Sequence, residues 1–276
     1  MNRVCLFISL FLISCFNRDL SDLPEKIYFE NDICKCPEAF VGETKEINGI
    51  TYKVVDDLTI FNEVNNGNIN LCTTLVTDMS ELFKDNTSFN SNINFWDTSN
   101  VIDMSYMFNR SFLFNQEISK WNTSKLEDME GMFLQASSFN QYIGNWETST
   151  VKDMSKVFRE ASSFNKDIEN WDVSNVNSMS QMFMGAIEFN QLIGNWNTSN
   201  VNDMSSMFNG AESFNQKIGE WNTLKVTNMD NMFRKAVSFN QDLTRWCISK
   251  IGSEPSFFST NSPLENTNKP IWGTCP

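Results

Sequence analysis

The stretch DMSYMFNRSFLFNQEISKWNTSKLE, Asp103 to Glu127, is one copy of a 25-residue unit, and the next copy begins at Asp128 with no gap. The tryptophans show the period most plainly: Trp96, Trp121, Trp146, Trp171, Trp196, Trp221 and Trp246. The same step carries Phe83 to Phe233, Phe89 to Phe239 with its following Asn90 to Asn240, Met79 to Met229, and the aliphatic column Ile93 to Leu243. Seven copies run from Asp78 to Gly252 without an insertion. With a second methionine column at Met107, Met132, Met182, Met207 and Met232, twelve of the 14 methionines and 14 of the 24 phenylalanines fall in repeat columns, so the unusual composition is the repeat itself.

A strict period of this length predicts stacked coils that share one apolar interior. A single copy cannot offset the backbone entropy of ordering its own residues, about 1–2 kcal/mol each. Burial against neighbours has to supply the rest. Within a unit, Met104, Met107, Phe108 and Ser111 fall at i, i+3, i+4 and i+7, which predicts a short helix. The preceding column is Asp78, Asp103, Asp128, Asp153, Ser178, Asp203 and Asn228, all good N-caps. Gln116 to Trp121 has an inward Ile and predicts a short strand, stacked in parallel from coil to coil. The expected class is therefore α/β: a leucine-rich-repeat-like solenoid, seven coils long, spanning roughly 35 Å at strand spacing.

Outside the repeat the period breaks. Residues 27–75 predict an N-terminal cap, with a hairpin turning at Asn48-Gly49 and a short helix over Asp57 to Val64. Residues 76–252 are the repeat region, and 253–276 predict a C-terminal cap. At the other extreme, residues 1–15 read as a signal peptide: Arg3 precedes the apolar run VCLFISLFLI, too short to span a membrane. The run ends Leu12-Ile13-Ser14-Cys15, similar to the lipobox of bacterial lipoproteins, so Cys15 is the expected lipidation site and residues 16–26 a tether. Export follows with or without the lipid.

Seven cysteines fit an exported chain. With Cys5 in the signal and Cys15 reserved for lipid, the remainder sit at the two ends of the array. The expected disulfides are Cys247–Cys275 and Cys36–Cys72, each closing a loop worth about 3–4 kcal/mol on the chain-entropy view, with Cys34 left over.

Composition also excludes chemistry. The chain has no histidine, so it has no Ser-His-Asp or Cys-His pair and no imidazole metal ligand. A net charge of −13 disfavours a nucleic-acid partner. Asp56-Asp57 has no opposing carboxylate in an apolar pocket, so no enzyme, cofactor or metal site is expected. Repulsion along the Asp column admits a calcium ladder, but Ser178 and Asn228 keep the capping geometry and drop the charge, which favours capping. The Trp column admits a sugar platform, but an aromatic at one fixed place in every coil points to core.

The unit closely resembles the repeat of BspA-like leucine-rich-repeat surface proteins, across all seven copies. The Asn48-Gly49 hairpin region and the terminal Asn268-Lys-Pro-Ile-Trp-Gly-Thr-Cys-Pro276 look family-like too. The resemblance implies an exported bacterial surface protein, often lipid-anchored, with an adhesive or matrix-binding role. Candidate binding residues come from a column where the copies differ: Asn92, Glu117, Tyr142, Asp167, Leu192, Lys217 and Asp242. A second such column, Asn94 to Thr244, lies two residues on, and both are expected to point outward beside the inward Ile. The expected function is non-enzymatic: a monomer presenting this stripe to an extracellular protein or matrix ligand. A glycan-binding module and a purely structural envelope protein are the alternatives.

Overall fold

A computed structural model describes residues 25–276 of the chain. The expected signal peptide, most of the tether and Cys15 lie outside the described residues. The first described elements are two strands, β1 (Tyr28–Glu30) and β2 (Ile33–Lys35), paired antiparallel. A second hairpin, β3 (Thr44–Ile47) and β4 (Ile50–Val54), turns at Asn48-Gly49 with φ of 53° and 79°. Both turn residues take the left-handed conformation that this dipeptide accepts cheaply. A six-residue helix, α1 (Ile60–Asn65), follows, and β5 (Leu71–Cys72) adds to β4 in parallel.

From there the chain winds in coils. Single-residue parallel bridges link Asp78 to Asp103, then Asp128, Asp153, Ser178, Asp203 and Asn228 in succession. The Met, Phe, Ile and Trp columns turn inward as one cluster. Within a coil, the two Phe rings stack face to face, as in Phe108–Phe114 at 3.9 Å between centroids. Between coils, like rings repeat at close intervals, as in Phe108–Phe133 at 5.6 Å and Phe133–Phe158 at 5.6 Å.

The expected helix over Met104 to Ser111 is instead a run of turns. The amides show why. Met104, Tyr106, Phe108 and Arg110 donate to the carbonyls of Asp128, Glu130, Met132 and Leu134 in the next coil. The alternate amides of Met107, Asn109 and Ser111 close i→i−3 turns on Met104, Tyr106 and Phe108. Ser105 donates to Asp103 Oδ1, at 2.7 Å. Every amide is satisfied, half of them by the neighbouring coil. A helix would keep all of these bonds to itself. The alternation requires a left-handed residue at two points per coil: Glu81, Tyr106, Gly131, Lys156, Gln181, Ser206 and Asn231, then Asp85, Arg110, Gln135, Glu160, Gly185, Gly210 and Lys235. Eleven of these are not glycine, and each carries a conformational cost of order 1–2 kcal/mol. The Asp column keeps its capping chemistry, accepting from the residue two positions on, but it caps turns.

The expected strand over Gln116 to Trp121 forms no backbone ladder either, and its Ser119-Lys120 pair is a turn closed by the Trp121 amide on the Ile118 carbonyl. Side chains supply the rungs there. Asn90 Oδ1 accepts the Asn115 amide, Asn115 Oδ1 the Asn140 amide, and so on to Asn240 Oδ1 and the Glu265 amide. Gln141, Gln191, Gln216 and Gln241 each donate to the Asn carbonyl one coil back. Each Trp indole N–H reaches an earlier coil's carbonyl, as Trp121 does with Ile93 at 3.2 Å.

The array extends beyond the seven expected copies at both ends. Residues 71–77 match the end of a unit, and Thr73 Oγ1 donates to the Asp97 carbonyl as Thr98 does to that of Asn122. Residues 253–276 form a degenerate eighth coil. Asn231, Phe233 and Lys235 donate to the carbonyls of Ser256, Phe258 and Thr260, and Phe257 and Asn261 repeat the left-handed positions. Those positions stand 26 residues after their counterparts Asn231 and Lys235, which hides the coil from a strict 25-residue count. Edge-on packing of Phe258 against Phe233 and of Trp272 against Phe258 ends the face-to-face series.

At the other end α1's approach supplies the missing rung. In the series, Ile102 and Asp103 both donate to the Thr77 carbonyl. One coil earlier, Thr77 and Asp78 both donate to Asp57 Oδ1, at 2.7 and 3.1 Å, while Thr77 Oγ1 donates to Oδ2. The Asp57 carboxylate stands in for the carbonyl of a coil that does not exist. Burial pushes its pKa up, but the bonds from Thr77 and Asp78 outweigh this and hold it below the usual carboxylate range.

Two predictions follow the backbone. At left-handed Lys235, Lys235→Gly should raise the midpoint of thermal unfolding, while Lys235→Val should lower stability by about 1–2 kcal/mol. In a helix the glycine would instead cost about 1 kcal/mol, so the sign of the shift discriminates. Asp57→Ala should destabilise by about 0.5–1 kcal/mol at neutral pH, since water can reach the freed donors. Because the folded-state pKa is depressed, that contribution is complete above the unfolded value and fades as pH falls through the folded one. Melts of both proteins should therefore converge on acidification.

Candidate functional site

All members of the first variable column are exposed: Asn92, Glu117, Tyr142, Asp167, Leu192, Lys217 and Asp242. They form one line along the stack, a coil apart. Tyr142 and Leu192 are the apolar members, 50% and 57% exposed. The Tyr142 ring lies 3.0 Å from where a Cβ on Gly144 would stand, so the small residue lets the ring lie flat.

The second column does not face outward as expected. Asn94 and Gly144 are buried, Ser119, Glu169, Gly194 and Gly219 are half-buried, and Thr244 alone is exposed. The reason is steric. A Cβ on Gly144 would meet the Asp167 carbonyl at 2.5 Å, one on Gly219 would meet that of Asp242 at 2.5 Å, and Gly194 presses in the same way on Lys217. This column is where one coil's backbone crosses the next. The surface therefore narrows to the first column and its immediate flanks.

Within it, carboxylates predominate. Asp167 accepts the Glu169 amide at 2.9 Å, and Glu169 accepts Asn195 Nδ2 at 2.9 Å. Glu117 accepts the Ser119 hydroxyl, and Asp242 the hydroxyl and amide of Thr244. The Thr244 hydroxyl is the main reason the Asp242 pKa lies below its ordinary value. Beside Leu192 a notch of about 450 Å³ opens, lined by Glu169, Leu192, Gly194, Asn195, Gln216 and Lys217, among others. Glu169, Leu192, Gly194 and Lys217 are all variable-column residues, so the notch belongs to the stripe.

The competing candidates lose their exposure. Every Trp of the repeat column is buried, at most 4% accessible, and donates its N–H inward, so none offers a face to a sugar. Of the Asp column, Asp78, Asp103, Asp128, Asp153 and Asp203 each use Oδ1 to accept the amide two residues on. Asp128 has its pKa raised by burial and, secondarily, by the charges of Asp103 and Asp153. Among the described residues no group of three His, Cys, Asp or Glu side chains is arranged to hold a metal.

The cysteines complete the two ends. Cys36 is joined to Cys72, tying β2's end to β5, and Cys247 to Cys275, tying the last full coil to the terminal one. Cys34 is buried and unpaired beside the first bridge, with Cys72 Sγ 3.3 Å from its carbonyl. Burial, with help from Asp97, pushes its thiol up to about 12. The β1–β2 hairpin lies against the first two coils, through Cys34 N–H to the Phe95 carbonyl and the ion pairs Lys35–Asp97 and Lys120–Asp32. No sequence periodicity marks these contacts.

The architecture and the exposed stripe define a disulfide-closed repeat protein. Residues 53–171 and again 152–271 match the family described as Mycoplasma protein of unknown function, DUF285, and the chain belongs to that family. The two matched stretches overlap, as they would on any array that repeats with a short period. No curated protein and no solved structure matches the chain.

The state of the thiols is directly measurable. Native protein treated with iodoacetamide at mildly alkaline pH should leave Cys34 unlabelled, since little thiolate forms and none is accessible. After unfolding without reductant, peptide mapping should find Cys34 alkylated. Label on Cys36, Cys72, Cys247 or Cys275 would contradict the pairing.

Proposed function

We propose that this chain is a BspA-like surface protein, a leucine-rich-repeat-like solenoid in which runs of turns and side-chain rungs take the place of the expected helices and strands. It is exported, anchored to a membrane by lipid on Cys15, and acts as a monomer without enzymatic activity or cofactor. The line Glu117, Tyr142, Asp167, Leu192, Lys217 and Asp242 binds an extracellular protein or matrix ligand.

One observation carries the surface assignment. The repeat columns are occupied by core and by inter-coil hydrogen bonds, whereas every member of this column is exposed and its chemistry changes at every coil. Large apolar side chains fixed on a rigid scaffold and surrounded by polar groups are the usual anchors of protein recognition. Two disulfides at the ends of the array suit an oxidising compartment outside the cytoplasm. The N-terminal run before Cys15 supports the anchor. Burial of the Trp column leaves the glycan alternative without its stacking platform.

The test is a panel of purified extracellular-matrix and surface proteins, titrated by surface plasmon resonance against the wild type and two variants. Tyr142→Ala and Leu192→Ala should each weaken a bound partner about tenfold or more. Unchanged affinity in both would remove the stripe from the binding surface.

A further inference from the structure

We propose that the three coils carrying Tyr142, Asp167 and Leu192 receive an extended, basic segment of the partner, in the order apolar residue, any residue, Arg or Lys, any residue, apolar residue. This rests on the reading that the stripe binds protein, and it names the chemistry of what binds.

The spacing selects an extended chain. Rings in the neighbouring column step by 5.9 Å from Phe139 to Phe164 and by 6.1 Å from Phe164 to Phe189. Tyr142 and Leu192 are two such steps apart, about 12 Å. A strand rises about 3.3 Å per residue and turns alternate side chains to one face, so residues i and i+4 reach both anchors and i+2 falls between them. The residue between the anchors on this protein is Asp167, exposed, with Glu169 beside it.

The charge selects a cation. Neither Asp167 nor Glu169 forms an ion pair among the described residues; their polar contacts are the Glu169 amide and Asn195 Nδ2. Glu117 on the preceding flank is bound only to the Ser119 hydroxyl. Lys166, next to Asp167 along the chain, and Lys217, two coils on beyond Leu192, pair with none of these carboxylates among the described residues. The whole chain carries −13, which draws a basic segment toward it at long range. The notch beside Leu192 then takes the second apolar side chain. Gly194 leaves Leu192 uncovered, and the amides of Asn195 and Gln216 line the notch where an extended backbone would present its own polar groups.

The experiment uses fluorescein-labelled decapeptides of Gly and Ser with two leucines four apart and arginine midway, titrated by anisotropy against the full chain. Saturable binding is expected, at least tenfold weaker when glutamate replaces the arginine, when Asp167→Lys is introduced, or when salt rises from about 50 to about 500 mM. Equal binding of the arginine and glutamate peptides, or indifference to Asp167→Lys, would overturn the proposal. All three variant sites, Asp167, Leu192 and Tyr142, are exposed, and melting curves verify that the variants fold. An array of random decapeptides separates the two levels of failure. Peptides without a cation that bind wild type but not Leu192→Asp would refute the basic segment while keeping the stripe. Peptides retained by both Leu192→Asp and Tyr142→Ala would refute the stripe as well.

Discussion

Register between neighbouring coils is the constraint on which the rest of this structure depends. Alternate amides of each turn run donate to the coil that follows, so the bonds join residues 24 apart, as Phe108 to Met132 and Phe158 to Met182, and 25 apart only into the terminal coil. The aromatic columns demand the same register, since Phe108, Phe133 and Phe158 are nearly parallel and evenly stepped. Backbone and core therefore enforce one coil length. An inserted residue would put the donors of its own coil out of step with the adjacent coil, and the one added residue in the array falls at the terminal coil, where the pairing continues at a separation of 25.

Polar side chains complete what the backbone begins. Asn in its column, Gln beside it, Thr near the corner and the Trp indole each reach an adjacent coil's backbone. Each sits where the coils form no continuous backbone ladder, and a buried unpaired amide or carbonyl there would cost about 1–3 kcal/mol. Asp57 at one end and Cys247–Cys275 at the other are the same solution applied to the termini, where the next coil is absent or irregular. The left-handed residues are the strain that this arrangement tolerates, and stacking holds them in place.

With the interior and the corners committed, little of each coil is free to vary. The column from Glu117 to Asp242 is exposed and makes no contact that the stack requires, and its neighbour two residues on is excluded by backbone crossing at Gly144, Gly194 and Gly219. A rigid line of side chains one coil apart is a ruler, and its natural complement is a segment that is itself extended.

Much of this was legible in order of residues alone, because identical units that must bury the same face leave a period. The seven copies, the inward columns, the hairpin at Asn48-Gly49, the capping role of the Asp column and the cysteines at the array ends all derive from local chemistry or simple counting. What the chain alone left undecided was where the hydrogen bonds go. Met104, Met107, Phe108 and Ser111 have helical spacing, yet they form turns, because a partner amide one coil away competes with the helix's own carbonyls, and that partner exists only once the coils have stacked. The same holds for the Gln rungs beside the Asn column, for the glycines that close the second column, for the hairpin of β1 and β2 lying across the first coils, and for the eighth coil displaced by one residue. Periodicity is a property of one unit and can be read from it; the choice between bonding within a unit and bonding across units is made by neighbours 24 to 26 residues away, and tertiary structure alone brings them into reach.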